Sequence, residues 1–127
     1  CIGNDVHGKD SFRHGNFGQS VIELEILLSN KKIIKCSKTK NKNIFKSAVG
    51  GLGLIGIIIN IKFKLKKISN TYKTDHFICS DYKDICKTLY FDNKNYDYIN
   101  GWIDIFSTKK KLGNGVIFKS KKVFNKY

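Results

Sequence analysis

Methionine is absent from all 127 residues, and the chain starts at Cys1. It is therefore expected to be an internal piece of a longer protein. Residues 1–10 are polar and glycine-containing, without the apolar core of a secretory leader. Arginine is nearly missing as well: Arg13 is the only one, and lysine carries the rest of a net charge of +14. Phosphates and bases are read best by the forked guanidinium, so nucleic acid is not the expected partner. A chain rich in lysine, isoleucine and asparagine has the composition of an AT-rich coding sequence, which accounts for the charge. No apolar run approaches the roughly 20 residues that span a bilayer. Cys1, Cys36, Cys79 and Cys86 form no C-x-x-C pair and have no suitably spaced histidine pair nearby. Zinc is not expected; the cysteines are expected to be reduced and buried, packing as small hydrophobes. No internal repeat is present.

What is there is mostly alternation. In residues 21–28, Ile22, Leu24, Ile26 and Leu28 point one way and Glu23 and Glu25 the other, which predicts a half-buried strand. A turn at 29–32 and a return strand at 33–36 complete a hairpin. Residues 43–49 predict a short helix with Ile44, Phe45 and Ala48 inward and Gly50 as its left-handed cap. Residues 57–68 predict a long strand: Ile57, Ile59, Ile61, Phe63 and Leu65 on one face, Asn60, Lys62, Lys64 and Lys66 on the other. A boundary falls at 69–72. A strand at 74–79 follows, then a helix capped by Ser80 with Tyr82, Ile85, Cys86 and Leu89 inward. Residues 93–95 form a turn, and strands are expected at 96–106 and 115–122. The class is α+β, mostly antiparallel.

Gly51-Leu52-Gly53-Leu54-Ile55-Gly56 matches G-x-G-x-x-G. A dinucleotide-binding unit needs a strand before this motif and a helix after it. Here a helix precedes and a strand follows, so the motif reads as a helix-to-strand turn, and Asp75 some 20 residues on as coincidence. The turn leaves Ile58 unexplained: it interrupts the polar face of the next strand, where an apolar residue is placed to touch a flat ligand.

The most chemically loaded stretch is Asn4-Asp5-Val6-His7-Gly8-Lys9-Asp10. Gly8 lets backbone N–H groups approach an anion, His7 is a titratable donor and Lys9 a fixed cation. By residue types alone this suits a flavin or phosphate ligand, and equally an ordinary surface loop.

Taken together, DVHGKDSFRHGNFGQSVIELEILLSNKKI, VGGLGLIGIIINIKFKL and NGWIDIFSTKKKLG resemble the FAD-linked oxidases of the vanillyl-alcohol-oxidase type. These have a p-cresol-methylhydroxylase-type (PCMH-type) FAD domain, and the decaprenylphosphoryl-ribose oxidases are the nearest in motif. The resemblance covers nearly the whole chain, weakly over residues 71–95. It implies that residues 1–68 are the C-terminal part of an FAD-binding domain and residues 69–127 the beginning of an α+β substrate (cap) domain. It implies FAD as cofactor, lined by Asn4, Asp5, Val6 and His7, with His7 near the isoalloxazine and Ile58 meeting the adenine end largely through its backbone. By the same resemblance Lys9 is expected to face the active site and Trp102 to lie on the substrate domain beside the flavin; Asn100 joins Trp102 as a candidate substrate contact through the alternation of their strand. Asn4 departs from the small or cysteine residue usual there. The diphosphate loop and a further active-site lysine lie outside these residues, so the chain alone is expected to be inactive.

The implied reaction is hydride transfer to flavin from a sugar or polyol hydroxyl, with a polyprenyl-phosphate sugar as substrate. A cytoplasmic location with peripheral membrane contact goes with it. An aldonolactone or alditol oxidase with the same FAD domain is the alternative. A basic nucleic-acid module stacking bases on residues 96–106 is a third reading, recognisable by steep salt dependence. Along residues 96–106, Tyr98, Asn100, Trp102 and Asp104 share a face of aromatic bodies and polar tips, as a ligand wall does, and equally as a surface that meets another part of the protein does. Ile99, Gly101, Ile103 and Ile105 share the face expected to be core.

Overall fold

A computed structural model of the chain describes residues 1–107 and 112–123. Residues 108–111, part of the third motif, lie outside the described residues. The chain divides into two compact units, Cys1–Lys67 and Ile68–Tyr127. Each contains a three-stranded antiparallel sheet, and the class is α+β.

The first unit holds α1 (Ser11–His14), β1 (Val21–Leu27), β2 (Ile33–Ser37), α2 (Lys42–Ala48) and β3 (Ile57–Phe63). Strand order is β2-β1-β3. The hairpin β1–β2 forms as its alternation and turn require. Its core is Val21, Leu24, Ile26 and Cys36 from the sheet, closed by Phe45 and Ala48 of α2. Gly50 follows α2 in the left-handed region (φ 76°).

Simple alternation fails twice, for one reason. On β3, Asn60 pairs with Glu25 but Ile58 pairs with Ile26, so Ile59 is an extra residue. On β1, Val21 pairs with Phe63 and Glu23 with Lys62, so Ile22 is extra. A bulge shifts the two-residue period by one and exchanges the faces beyond it. Ile58 therefore turns inward with Ile61 to pack on the core, while Ile57 and Ile59 are exposed. Val21 is buried where Ile22 was expected. The Ile58 side chain is thus not an apolar interruption of a wet face. β3 also ends at Phe63 rather than at residue 68. β1 begins at Val21, and after Lys64 N–H donates to Ser20 O (2.8 Å) there is no partner strand left.

The second unit holds β4 (Tyr72–Cys79), α3 (Tyr82–Tyr90), β5 (Tyr98–Ile103) and β6 (Gly115–Lys122), with order β4-β6-β5. Helix α3 is capped by Asp81, not Ser80. The Asp81 carboxylate accepts from the Lys83 and Asp84 N–H groups at 2.8 and 3.0 Å, satisfying first-turn donors that have no intrahelical partner. Only Ile85 of the expected helix face is buried, against Cys79 and Ile117 with Ile99 beside them. Tyr82, Cys86 and Leu89 remain exposed. At Gly101, a Cβ would stand 2.4 Å from Ile117 Cδ1, so the missing side chain admits the core isoleucine of the neighbouring strand. Among the described residues no helix is long and apolar enough to cross a membrane.

The cysteines divide evenly: Cys36 and Cys79 are buried, as expected, but Cys1 and Cys86 are exposed, and all four are free. Burial pushes the Cys36 thiol up, and the Glu23 charge adds to this. Since the thiolate is the nucleophile, brief iodoacetamide treatment of the folded chain is expected to label Cys1 and Cys86 and spare Cys36 and Cys79. Peptide mass mapping checks this; early labelling of Cys36 would contradict the core arrangement.

Candidate functional site

The loop carrying His7 is held by the other glycine-bearing motifs of the first unit. Its start is pinned to the glycine turn: Gly50 N–H donates to Ile2 O at 3.0 Å, and Leu52 N–H to Gly3 O at 2.7 Å. Its middle is pinned to residues 16–18. Gly18 N–H donates to Asp5 Oδ1 at 2.7 Å and Phe17 N–H to Val6 O at 2.8 Å, while Asn16 Nδ2 donates to Asp5 Oδ2 at 3.3 Å. Asp5 (φ 44°) and Leu52 (φ 53°) both adopt left-handed backbone, an uncommon state for such residues that persists where surroundings enforce it. Three segments far apart in sequence are thereby joined at one place.

Beyond these anchors the loop is exposed and turns into α1, with Ser11 N–H donating to Gly8 O at 3.1 Å. Asn4, Val6, His7, Gly8 and Lys9 are exposed. Among the described residues the N–H groups of His7, Gly8 and Lys9 donate to no partner. Consecutive unpaired donors beside an imidazole and an ammonium form a set suited to an electronegative edge. His7 lines a groove of about 600 Å³ with Phe17, Phe63 and Leu65; the Phe17 and Phe63 rings are 5.5 Å apart. An apolar wall under a polar rim suits a flat heteroaromatic ring, so the residues present fit a flavin. Lys9, Asn4 and Ile58 do not line this groove. The Asp5 carboxylate is committed to Gly18 and Asn16, which leaves that residue a backbone role. Asp10 pairs with Lys66 at the groove's edge. Burial pushes the Asp10 carboxyl up, but the hydrogen bond and charge of Lys66 hold it below its ordinary value.

In the second unit the register puts Trp102, Asn100 and Tyr98 on the sheet face opposite the core residues Ile117 and Ile99. Across β6 and β4 the rows read Trp102–Val116–Ile78, Asn100–Phe118–His76 and Tyr98–Ser120–Thr74. Trp102 is 76% exposed and Ile78 88%. His76 stands edge-on to Phe118 at 5.0 Å between centroids. His76 and Phe118 were not anticipated; alternation along β4 and β6 placed them on a face, but only cross-strand register brings them beside Asn100. Among the described residues no three His, Cys, Asp or Glu side chains gather as a metal site.

No protein-family model matches the chain. Its sequence is nevertheless similar to those of FAD-linked oxidases of the vanillyl-alcohol-oxidase, PCMH-type family. It is 29% identical to decaprenylphosphoryl-beta-D-ribose oxidase of Mycolicibacterium smegmatis, over 92% of this chain and 26% of that protein. It is 30% identical to cytokinin dehydrogenase 1 of Arabidopsis thaliana, over 77% of the chain and 18% of the relative. Over half of the chain it is 38% identical to D-arabinono-1,4-lactone oxidase of Debaryomyces hansenii, covering 11% of that enzyme. The chain thus spans about a quarter or less of the length of these relatives.

Proposed function

We propose that the whole protein is an FAD-dependent oxidoreductase acting on a CH–OH group of a sugar or polyol, with a polyprenyl-phosphate pentose as substrate and a keto sugar as product. The first unit is then the end of the FAD-binding domain and the second the start of the substrate domain. FAD, when bound, supplies the two-electron acceptor for the hydride. His7 and the free N–H groups of residues 7–9 hydrogen-bond its polar edge and Val6 lines the groove with them; Asn4, Asp5 and Ile58, which lie outside that groove, are assigned to other parts of the cofactor, Asp5 and Ile58 by backbone. Lys9 sets a positive charge at the reacting side. Trp102 offers an aromatic face to the sugar, and Asn100 a donor and an acceptor. A lipid-linked substrate implies work at the cytoplasmic surface of a membrane, where a lysine-rich protein is attracted to anionic lipid.

The observation that carries this reading is the joining of the three glycine-bearing segments beneath a loop whose His7 and Lys9 are left exposed. The test is substitution in the whole flavoprotein. His7→Ala is expected to lower flavin content or shift its potential. Lys9→Ala removes no core packing, so stability should stay within about 0.5 kcal/mol while turnover or substrate binding falls. Unchanged flavin content, potential and turnover in both variants would overturn the assignment. The 38% identity to an arabinonolactone oxidase favours a second reading, an aldonolactone oxidase; turnover of a free aldonolactone but not of a polyprenyl-phosphate pentose would select it.

A further inference from the structure

Lys119 is the only buried charged side chain among the described residues, 2% exposed. A buried cation normally requires a counter-ion, and this one has none within ion-pair distance among the described residues. Asp75 is its register partner across β4 and β6, but the Asp75 carboxylate accepts instead from the Tyr96 hydroxyl at 2.9 Å. The ammonium donates to Phe91 O at 2.6 Å and to Asn93 Oδ1 at 2.9 Å. It also lies 5.5 Å from the ring centroids of Phe77 and Tyr96. An ammonium has three N–H donors, and the third meets no acceptor among the described residues. Desolvation holds this amine below the ordinary lysine range, against the opposing pull of Asp92.

Lys119 borders a cavity of about 250 Å³, walled by Phe77, Phe91 and Tyr96 with Lys87, Thr88 and Asp92 around it. We propose that this cavity is a binding site for a small carboxylate with a flat apolar body, anchored by Lys119. The volume lies below the roughly 300 Å³ at which drug-sized pockets begin, so the part of a ligand that it takes up is small. Three aromatic walls select a flat apolar body. One free N–H serves one of a carboxylate's two oxygens, whereas a phosphate would bring at least three and leave more of them without a donor. Lys87 and Asp92 lie on the cavity rim and the Asp75 carboxylate is engaged by the Tyr96 hydroxyl, so Lys119 is the cation placed to meet a carboxylate. The cavity is on the face of the sheet that carries Ile117 and Ile99; Asn100 and Trp102 are on the other. The proposal therefore stands apart from the flavin reading.

The test is a titration of benzoate into the ¹³C-labelled chain, followed by NMR at Lys119 Cε and at the Phe77 and Tyr96 rings. Benzamide serves as the neutral isostere, and chloride at equal ionic strength as a screening control. A saturable shift at all three residues with benzoate alone is expected. Lys119→Gln is expected to weaken benzoate at least about tenfold, through loss of a charge-assisted hydrogen bond. No saturable shift, an equal response to benzamide or chloride, or undiminished affinity in a folded Lys119→Gln variant would each overturn the site. If that variant does not fold, the titration of the unaltered chain decides.

Discussion

Gly51→Ala in the whole flavoprotein is expected to cost about 3 kcal/mol or more of stability and to release flavin. A Cβ at position 51 would stand 1.8 Å from the Ser47 carbonyl oxygen and 3.0 Å from its carbon. Both are backbone atoms of α2, so no side-chain rotation relieves the clash. The turn has to move away from the helix end, and with it go Gly50 N–H to Ile2 O and Leu52 N–H to Gly3 O. Those two bonds pin the start of the His7 loop. The effect should therefore appear both in thermal unfolding and in the flavin absorbance of the purified protein. Gly53→Ala is the control. A Cβ there meets nothing within 4 Å, although φ is +81°, so only the left-handed backbone penalty of roughly 1–2 kcal/mol applies. Equal melting of the two variants would show that the turn is not the anchor proposed.

Leu24→Ala should cost about 3–5 kcal/mol, the range for a fully buried leucine whose cavity cannot collapse. Leu24 is 0% exposed on the central strand of its sheet, opposite Cys36 on one side and Ile61 on the other. Against the 5–15 kcal/mol that hold ordinary domains together, such a loss leaves little of the folded first unit. Ile22→Ala is the informative partner. Uninterrupted alternation would bury Ile22 as deeply as Leu24, whereas the bulge leaves it 43% exposed. The expected loss is then well below that of Leu24→Ala. Urea unfolding of the two variants separates these cases; comparable losses would mean that the β1–β3 register is wrong.

Much of this protein is legible along the chain because it rests on local chemistry. The hairpin of β1 and β2, the short helix α2, the left-handed Gly50 and strand β6 all follow from alternation, helical spacing and turn residues. The helix-before, strand-after setting of the glycine motif was enough to reject a dinucleotide fingerprint. The chemistry of the His7 loop was readable as residue types, but not as an arrangement. What tertiary structure decided is whatever depends on a partner strand. Bulges at Ile22 and Ile59 exist only in the pairing of β1 with β3, and they send Ile58 to the core although its own strand reads otherwise. Lys119 looks like any other of the chain's lysines until β6 is laid between β4 and β5; then its side chain falls on the face that α3 and residues 91–96 close. The period of a strand is a property of one chain segment, but register, burial and the company a side chain keeps are properties of segments brought together. A one-residue shift between two strands exchanges inside for outside while leaving every local preference satisfied.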